Sequence, residues 1–166
     1  MKQLFLIRGL PGSGKSTFAK REFDALHIEA DEFFTFNSEG EYKFRKEDLP
    51  TAHAWCLGQA HRSLSQKDVT IVANTFSQLW EIKPYVEAAN LHGAVLTIID
   101  LFDNGSTDEE LFERCVHNVP SRVIEDMRAR WERFALISTA EEIYGRGSGM
   151  QMQYSIKAWD ELFPAK

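Results

Sequence analysis

Apolar and polar positions along this chain change period several times. Leu4-Phe5-Leu6-Ile7 is a continuous apolar run, echoed by Val69-Thr70-Ile71-Val72-Ala73 and Val95-Leu96-Thr97-Ile98-Ile99. Short apolar runs rich in β-branched residues predict strands buried on both faces, as in a parallel sheet. They place strands at about 2–8, 69–73 and 94–101, with a shorter one at Leu26-His27-Ile28-Glu29-Ala30 that ends at Asp31. Helical spacing takes over between them. A first helix runs from about Ser16 to 25, and after Pro50 the residues Ala52, Trp55, Cys56, Gln59, Ala60 and Leu64 share one face. Trp80 to Leu91 reads as a further helix. Ser106 or Thr107, followed three residues on by Glu109 or Glu110, is a capping box for a helix over about 107–116. Pro120-Ser121 opens the next one, carried by Val123, Ile124, Met127 and Trp131.

Residues 32–49 read as irregular, with a turn at Asn37-Ser38-Glu39-Gly40. The alternation predicts an α/β fold, a parallel sheet of about four to five strands flanked by helices. It breaks after about 135, where Gly145-Arg146-Gly147-Ser148-Gly149 reads as a flexible loop and Tyr154 to Phe163 as a final docked element.

Composition narrows the class. With 166 residues, 43% hydrophobic and 27% charged, the chain is expected to be one soluble domain, 1–166, with a sizeable core. No stretch reaches the ~18–20 apolar residues of a membrane span. Met1-Lys2-Gln3-Leu4 leads straight into the first strand, so no signal peptide and a cytoplasmic setting are expected. Cys56 and Cys115 lack metal-ligand spacing and read as reduced, buried thiols. The net charge of −6 argues against a broadly basic surface that coats nucleic acid. Arg114, Arg122, Arg128, Arg130 and Arg133 do cluster in one segment, for which a solvated helix face is the simpler reading.

The chemistry begins where the first strand ends. Gly9-Leu10-Pro11-Gly12-Ser13-Gly14-Lys15-Ser16 is a complete G-x-x-x-x-G-K-S loop between a strand and a helix, followed by Thr17. Its glycines let backbone N–H groups converge on phosphate oxygens. Lys15 is expected to reach the β- and γ-phosphates, and the Ser16 hydroxyl to ligate Mg²⁺. The helix that follows adds the positive end of its dipole. These residues imply a bound nucleoside triphosphate.

In a parallel sheet, functional groups gather beyond the carboxyl ends of the strands. Asp31 stands beyond the second strand and Asn74-Thr75 beyond the third. Phosphoryl transfer to a hydroxyl needs a carboxylate that orients the acceptor and takes its proton, which suits Asp31. A capping or turn aspartate is the plainer alternative. Asp100 ends a strand, as the Mg²⁺-placing acid of many NTPases does, and Asp103 is near; both also fit a loop role. Arg114, ending a capped helix, suits a helical lid that brings a cation over the phosphates, or an interaction with its own helix dipole. His53, His61 and His92 read as structural or surface residues, and the tryptophans as packing.

The ordered series carries a family likeness. It comprises Arg8 to Thr17, Asp31-Glu32-Phe33-Phe34, Gly40-Glu41-Tyr42-Lys43-Phe44, Ala52-His53-Ala54-Trp55-Cys56, Ala73-Asn74-Thr75-Phe76, Trp80-Glu81-Ile82-Lys83-Pro84-Tyr85, Arg114 to Pro120 and Met127. It resembles the phosphate-loop kinases related to the 5′-kinase domain of bacteriophage polynucleotide kinase, over about 2–134, leaving 135–166 as a C-terminal extension. The resemblance implies a P-loop NTPase fold, ATP and Mg²⁺ as cofactors, Lys15 and Ser16 as phosphate and Mg²⁺ residues, and Asp31 as general base. It also implies Asn74 in acceptor positioning, Arg114 in a lid, and His117 as the match to a His-Gly pair. The chain departs from the pattern at Ala73, Phe76, Cys115 and Asn118, and Phe34 stands where the phage enzyme has an arginine for the substrate phosphate.

The function implied is transfer of the γ-phosphate of ATP to a hydroxyl, the 5′-hydroxyl of DNA or RNA on the strength of the resemblance. A small acceptor such as a nucleoside, modified base, sugar or antibiotic is the alternative, because related folds host all of these. A non-catalytic NTP-binding module is a third reading. In that case residues 37–50 and exposed aromatics would serve a partner surface, although Phe33 and Phe34 fit a core as readily.

Overall fold

The structure, a computed structural model, describes residues 1–23 and 26–133 and the backbone of 140–143 and 151–155. Three parallel strands form its centre: β1 (Gln3–Gly9) lies between β2 (Val69–Asn74) and β3 (Val95–Phe102). Two further strands, β4 (Ala140–Ile143) and β5 (Gln151–Ser155), run antiparallel and complete the order β2-β1-β3-β5-β4. The α/β architecture is the one the hydrophobic pattern predicts, but only three of the strands are parallel, and the two antiparallel ones come from a segment where no strand was expected. The segment after 135 adds strands to the sheet, and Gly145–Gly149 and 156–163 lie outside the described residues.

Side chains alternate across the central strands and build two cores. Leu4, Leu6, Val72, Leu96 and Ile98 meet α3 (Leu49–Gln66) and α4 (Lys83–His92) on one face. Ile7, Ile71, Ala73, Ile99 and Leu101 meet α1 (Lys15–Glu22) on the other, through Phe18, Ala19 and Phe23. Pro50 sits in the first turn of α3, where its missing N–H costs no helical bond, and Gly93 closes α4 in the left-handed conformation. The helix expected at 80–91 divides into a 3-10 turn at Leu79–Glu81 and α4. The first helix stops at Glu22; positions 24 and 25 lie outside the described residues.

Two local expectations change. The strand expected at 26–30 contracts to a single parallel bridge, Ile28 with Val72, because the chain turns into a helix at Glu32. The 32–49 segment is not wholly irregular. It holds α2 (Glu32–Phe36), which buries Phe33 and Phe34, and a 3-10 turn at Lys46–Asp48.

The last two helices among the described residues, α5 (Asp108–Arg114) and α6 (Ser121–Ala129), pack on the phosphate-loop side. Thr107 and Glu110 form the expected capping box. Buried Leu111 and Ile124 close on Leu10 of the loop, with Phe102, Val119, Met127 and Trp131 around them. The helical lid therefore rests on its own apolar cluster.

Candidate functional site

The loop is pinned at its base by the strands on either side of β1. The Gly9 N–H donates to the Thr75 carbonyl at 3.3 Å and the Leu10 N–H to the Phe102 carbonyl at 2.8 Å. Lys15 folds back over the loop, donating from Nζ to the carbonyls of Gly9 at 2.9 Å and Leu10 at 3.0 Å. Burial lowers its ammonium to about 8, while Glu29, Asp31 and Cys115 act in the opposite direction. Gly12 has φ +77, and a Cβ there would stand 2.1 Å from the Leu111 carbonyl oxygen, so only glycine lets α5 seat on the loop. Gly14, at φ 92, caps α1.

These features fit a polyphosphate. Backbone donors of the first helical turn have no intrahelical partners, and a lysine stands among them. The Ser13 hydroxyl, 1% exposed, has no hydrogen-bond partner among the described residues. Ser16, a hydroxyl oxygen beside the Glu29 carboxylate, supplies the hard donors that Mg²⁺ prefers.

Asp31 lies at the entrance to α2, 45% exposed. Two residues from distant segments meet it: the Tyr42 hydroxyl donates to its Oδ1 at 3.2 Å, and His117 Nε2 lies 3.9 Å from its Oδ2. The rings of Tyr42 and His117 stack with centroids 4.6 Å apart. Burial and the Asp31 charge raise the Tyr42 phenol well above its ordinary range, so it stays protonated and remains a donor. The 37–48 segment thus closes against the lid over the carboxylate. Sequence reasoning held Tyr42 only as part of the family series and missed its place beside Asp31, because an irregular segment offers no period to follow.

Asn74 is turned inward. Its Oδ1 accepts from the Ala30 N–H at 2.8 Å and its Nδ2 donates to Cys56 Sγ at 3.3 Å. It therefore holds the backbone just ahead of Asp31. Two residues on, Phe76 has φ 45, a left-handed conformation that asparagine tolerates better than phenylalanine. Burial of its ring against Tyr85, at 5.3 Å between centroids, offsets that strain.

Arg114 folds back along its own helix to the turn that precedes it. It donates to the Glu110 carbonyl at 3.0 Å and, in a close contact, to the Ser106 hydroxyl. It lines a cavity of about 450 Å³ with Asn104, Gly105, Ser106, Glu110 and Glu113. Asn104 links that cavity to the loop by donating to the Ser13 carbonyl at 3.4 Å.

Several residues do other work than their types suggested. Asp100 faces buried Arg8 at 3.4 Å and accepts from the Phe102 N–H at 3.0 Å. Burial lifts its carboxyl above the usual range although Arg8 pulls it down. Arg8, in register with both Asn74 and Asp100, also stacks on Trp131 at 4.1 Å and donates to the Glu132 carbonyl at 2.9 Å. Arg128, read as a solvated arginine, binds Asp108 at 2.8 Å and the Ser106 carbonyl at 2.9 Å, and makes a close contact to Asp103. Arg130 reaches the Ser77 hydroxyl at 3.1 Å. Cys56 is buried as expected, but Cys115 is partly exposed. Trp80 is exposed, Trp55 is partly buried beside Phe33, and Trp159 lies outside the described residues. His61 and His92 pair at 3.1 Å between α3 and α4.

A strand–loop–helix phosphate site at the edge of a three-stranded parallel sheet, under two lid helices, defines a phosphate-loop kinase fold. The AAA domain family profile matches residues 4–134, and the chain belongs to that family. It is 33% identical over 144 residues to NEDD4-binding protein 2 of Homo sapiens, covering 81% of this chain and 8% of that protein's length. Among solved structures it is similar to a chain of the Pnkp1/Rnl/Hen1 RNA repair complex, with a TM-score of 0.59 at 22% identity, covering 78% of this chain and 44% of that one. It is also similar to a sugar kinase from a Janibacter species, with a TM-score of 0.56 at 18% identity, covering 84% and 82%. No helix among the described residues is long and apolar enough to cross a membrane.

Proposed function

We propose that this chain is an ATP-dependent phosphotransferase that moves a γ-phosphate to a hydroxyl, with the 5′-hydroxyl of DNA or RNA as acceptor. The kinase domain spans about 2–134, and 135–166 is an extension. One observation carries the reading: the Asp31 carboxylate, half-exposed, is met by Tyr42 and by His117 between the lid helices, and its charge acts on Lys15 of the phosphate loop. Gly9, Pro11, Gly12, Ser13, Gly14 and Thr17 shape and flank the loop that holds the triphosphate, and Lys15 binds its charge. Mg²⁺ held at Ser16 would neutralise charge on the transferring group.

Asp31 orients the acceptor hydroxyl and takes its proton. Tyr42 and His117 flank its carboxylate and limit the direction from which a hydroxyl can come. Asn74 fixes the Ala30 amide and thereby the place of Asp31, while the Thr75 carbonyl holds the loop's base. Arg114 enters only if the lid helix re-aims it, since its guanidinium is engaged by Ser106 and Glu110. The 5′ end is what the motif series implies, and the likeness to a chain of an RNA repair complex is consistent with a nucleic-acid acceptor.

A small hydroxylated acceptor is favoured by one specific feature. Phe34 is 2% exposed and packed against Phe44 and Tyr42, so no cation for a substrate phosphate stands at that position. The test is transfer of labelled γ-phosphate from ATP to 5′-hydroxyl oligonucleotides, nucleosides and sugars, with the wild type and Asp31→Asn. The proposal expects a labelled oligonucleotide with the wild type and none with the variant, which still binds ATP. Label on a sugar or nucleoside alone would replace the acceptor; retained ATP binding with no transfer to any acceptor would favour an NTP-binding module.

A further inference from the structure

We propose that Glu29 is the carboxylate that, together with Ser16, holds the divalent cation of this site, an assignment that rests on the phosphotransfer reading above. A phosphate loop supplies one protein oxygen for the cation through its serine, and an acid beyond a strand supplies further support. Asp100 has the expected place for that acid at the end of β3. Its oxygens are otherwise engaged: Oδ2 faces Arg8 at 3.4 Å and Oδ1 accepts from the Phe102 N–H at 3.0 Å. Arg8 stays charged at any working pH and holds the Asp100 carboxylate wherever that group is ionised.

Glu29 stands on the other side of the loop. The Ser16 hydroxyl donates to its Oε1 in a close contact, and His27 Nε2 lies 2.7 Å from the same oxygen. The backbone around it is held at three points. Ile28 donates to the Ile71 carbonyl at 2.9 Å and accepts from the Ala73 N–H at 2.9 Å, and the Ala30 N–H donates to Asn74 Oδ1 at 2.8 Å. A hydroxyl and a carboxylate fixed side by side are hard oxygen donors, the kind that Mg²⁺ and Mn²⁺ take directly or through their waters. A bound cation would be held by the Ser16 hydroxyl and the Glu29 carboxylate in place of their mutual hydrogen bond.

The charge of Glu29 gives the assignment a crossed signature. Beside the phosphate site a carboxylate repels a triphosphate that arrives without a cation and favours one that arrives with it. A residue that merely propped the loop would affect both forms alike. The experiment uses the full chain and Glu29→Gln, which keeps the shape and the acceptor for Ser16 but not the charge. Calorimetry measures ATP binding in EDTA and in Mn²⁺, and electron paramagnetic resonance measures Mn²⁺ affinity of the ATP-loaded protein.

The variant is expected to bind Mn²⁺ about ten-fold more weakly or worse, while metal-free ATP binds as tightly as before or more tightly. Glu29→Asp should recover most of the Mn²⁺ affinity. Unchanged Mn²⁺ affinity in Glu29→Gln would overturn the assignment. So would equal weakening of both ATP forms, which would make Glu29 a prop for the loop. A wild-type chain that binds ATP in neither condition would overturn the phosphotransfer reading first, and this assignment with it.

Discussion

Asp31, Tyr42 and His117 come from three segments of the chain, and only the fold brings their side chains together. The sequence marked Asp31 because a strand end beside a phosphate loop needs a carboxylate, and it matched His117 through its motif. Tyr42 stood in the Gly40 to Phe44 stretch of the family series but without a role, because its contact depends on how residues 37–48 return. Glu29 was equally hidden: as one residue of a short strand it carried no signal of its own, and its meaning comes from Ser16 at the start of α1. The two cysteines give a prediction at this scale. Burial raises the Cys56 thiol above its ordinary range, whereas Cys115 is partly exposed in the lid. Iodoacetamide followed by mass spectrometry of the native protein should therefore label Cys115 and spare Cys56. Equal labelling would contradict the packing of α3 on β2. Gly12 gives another. Gly12→Ala brings a Cβ within 2.1 Å of the Leu111 carbonyl oxygen, so α5 must move. Amide exchange in α5 should quicken and ATP affinity should fall; a variant with wild-type exchange would refute the seating of α5 on the loop.

The elements themselves were mostly legible, because each carries a strong period or a cap. Continuous apolar runs gave β1, β2 and β3, and Thr107 with Glu110 gave the start of α5. The short pieces were harder. A bridge of one residue at Ile28 and a helix of five at α2 are too brief for a period to register, and tertiary packing of Phe33 and Phe34 decides them. Arg8 was least legible of all, since a charged residue at a strand end normally faces water. Here it lies in register between Asn74 and Asp100 and carries Trp131 and Glu132 down onto the sheet. That buried pair ties the end of α6 to β1 and β3. Asp100→Asn should cost about 3 kcal/mol, because it leaves Arg8 charged and buried with its carboxylate partner removed. Urea unfolding measures this, and a loss under half of that would show that the pair is not a main tie. Leu111→Ala, which opens a gap in the cluster under the lid, should cost a similar amount, about 3 kcal/mol.

At the scale of the molecule, the proposed phosphotransfer reading assigns a donor half and an acceptor half to the carboxyl edge of the sheet. The donor half is built from β1, the phosphate loop and α1, whose spacing was readable from eight consecutive residues. The acceptor half is assembled from α2, the 37–48 segment and the lid, and there the chain departs most from the phosphate-loop kinases it resembles. Buried Phe34, inward-turned Asn74 and the Tyr42–His117 stack all bear on which hydroxyl can approach Asp31. The same fold serves a chain of an RNA repair complex and a sugar kinase, so fold alone does not select between them. The most direct test of phosphotransfer is an assay of labelled γ-phosphate against 5′-hydroxyl oligonucleotides, with nucleosides and sugars in parallel. The account predicts label at the oligonucleotide 5′ end with the wild type, lost in Asp31→Asn while ATP binding persists. Transfer that survives in Asp31→Asn, or ATP binding with no transfer to any acceptor, would contradict it.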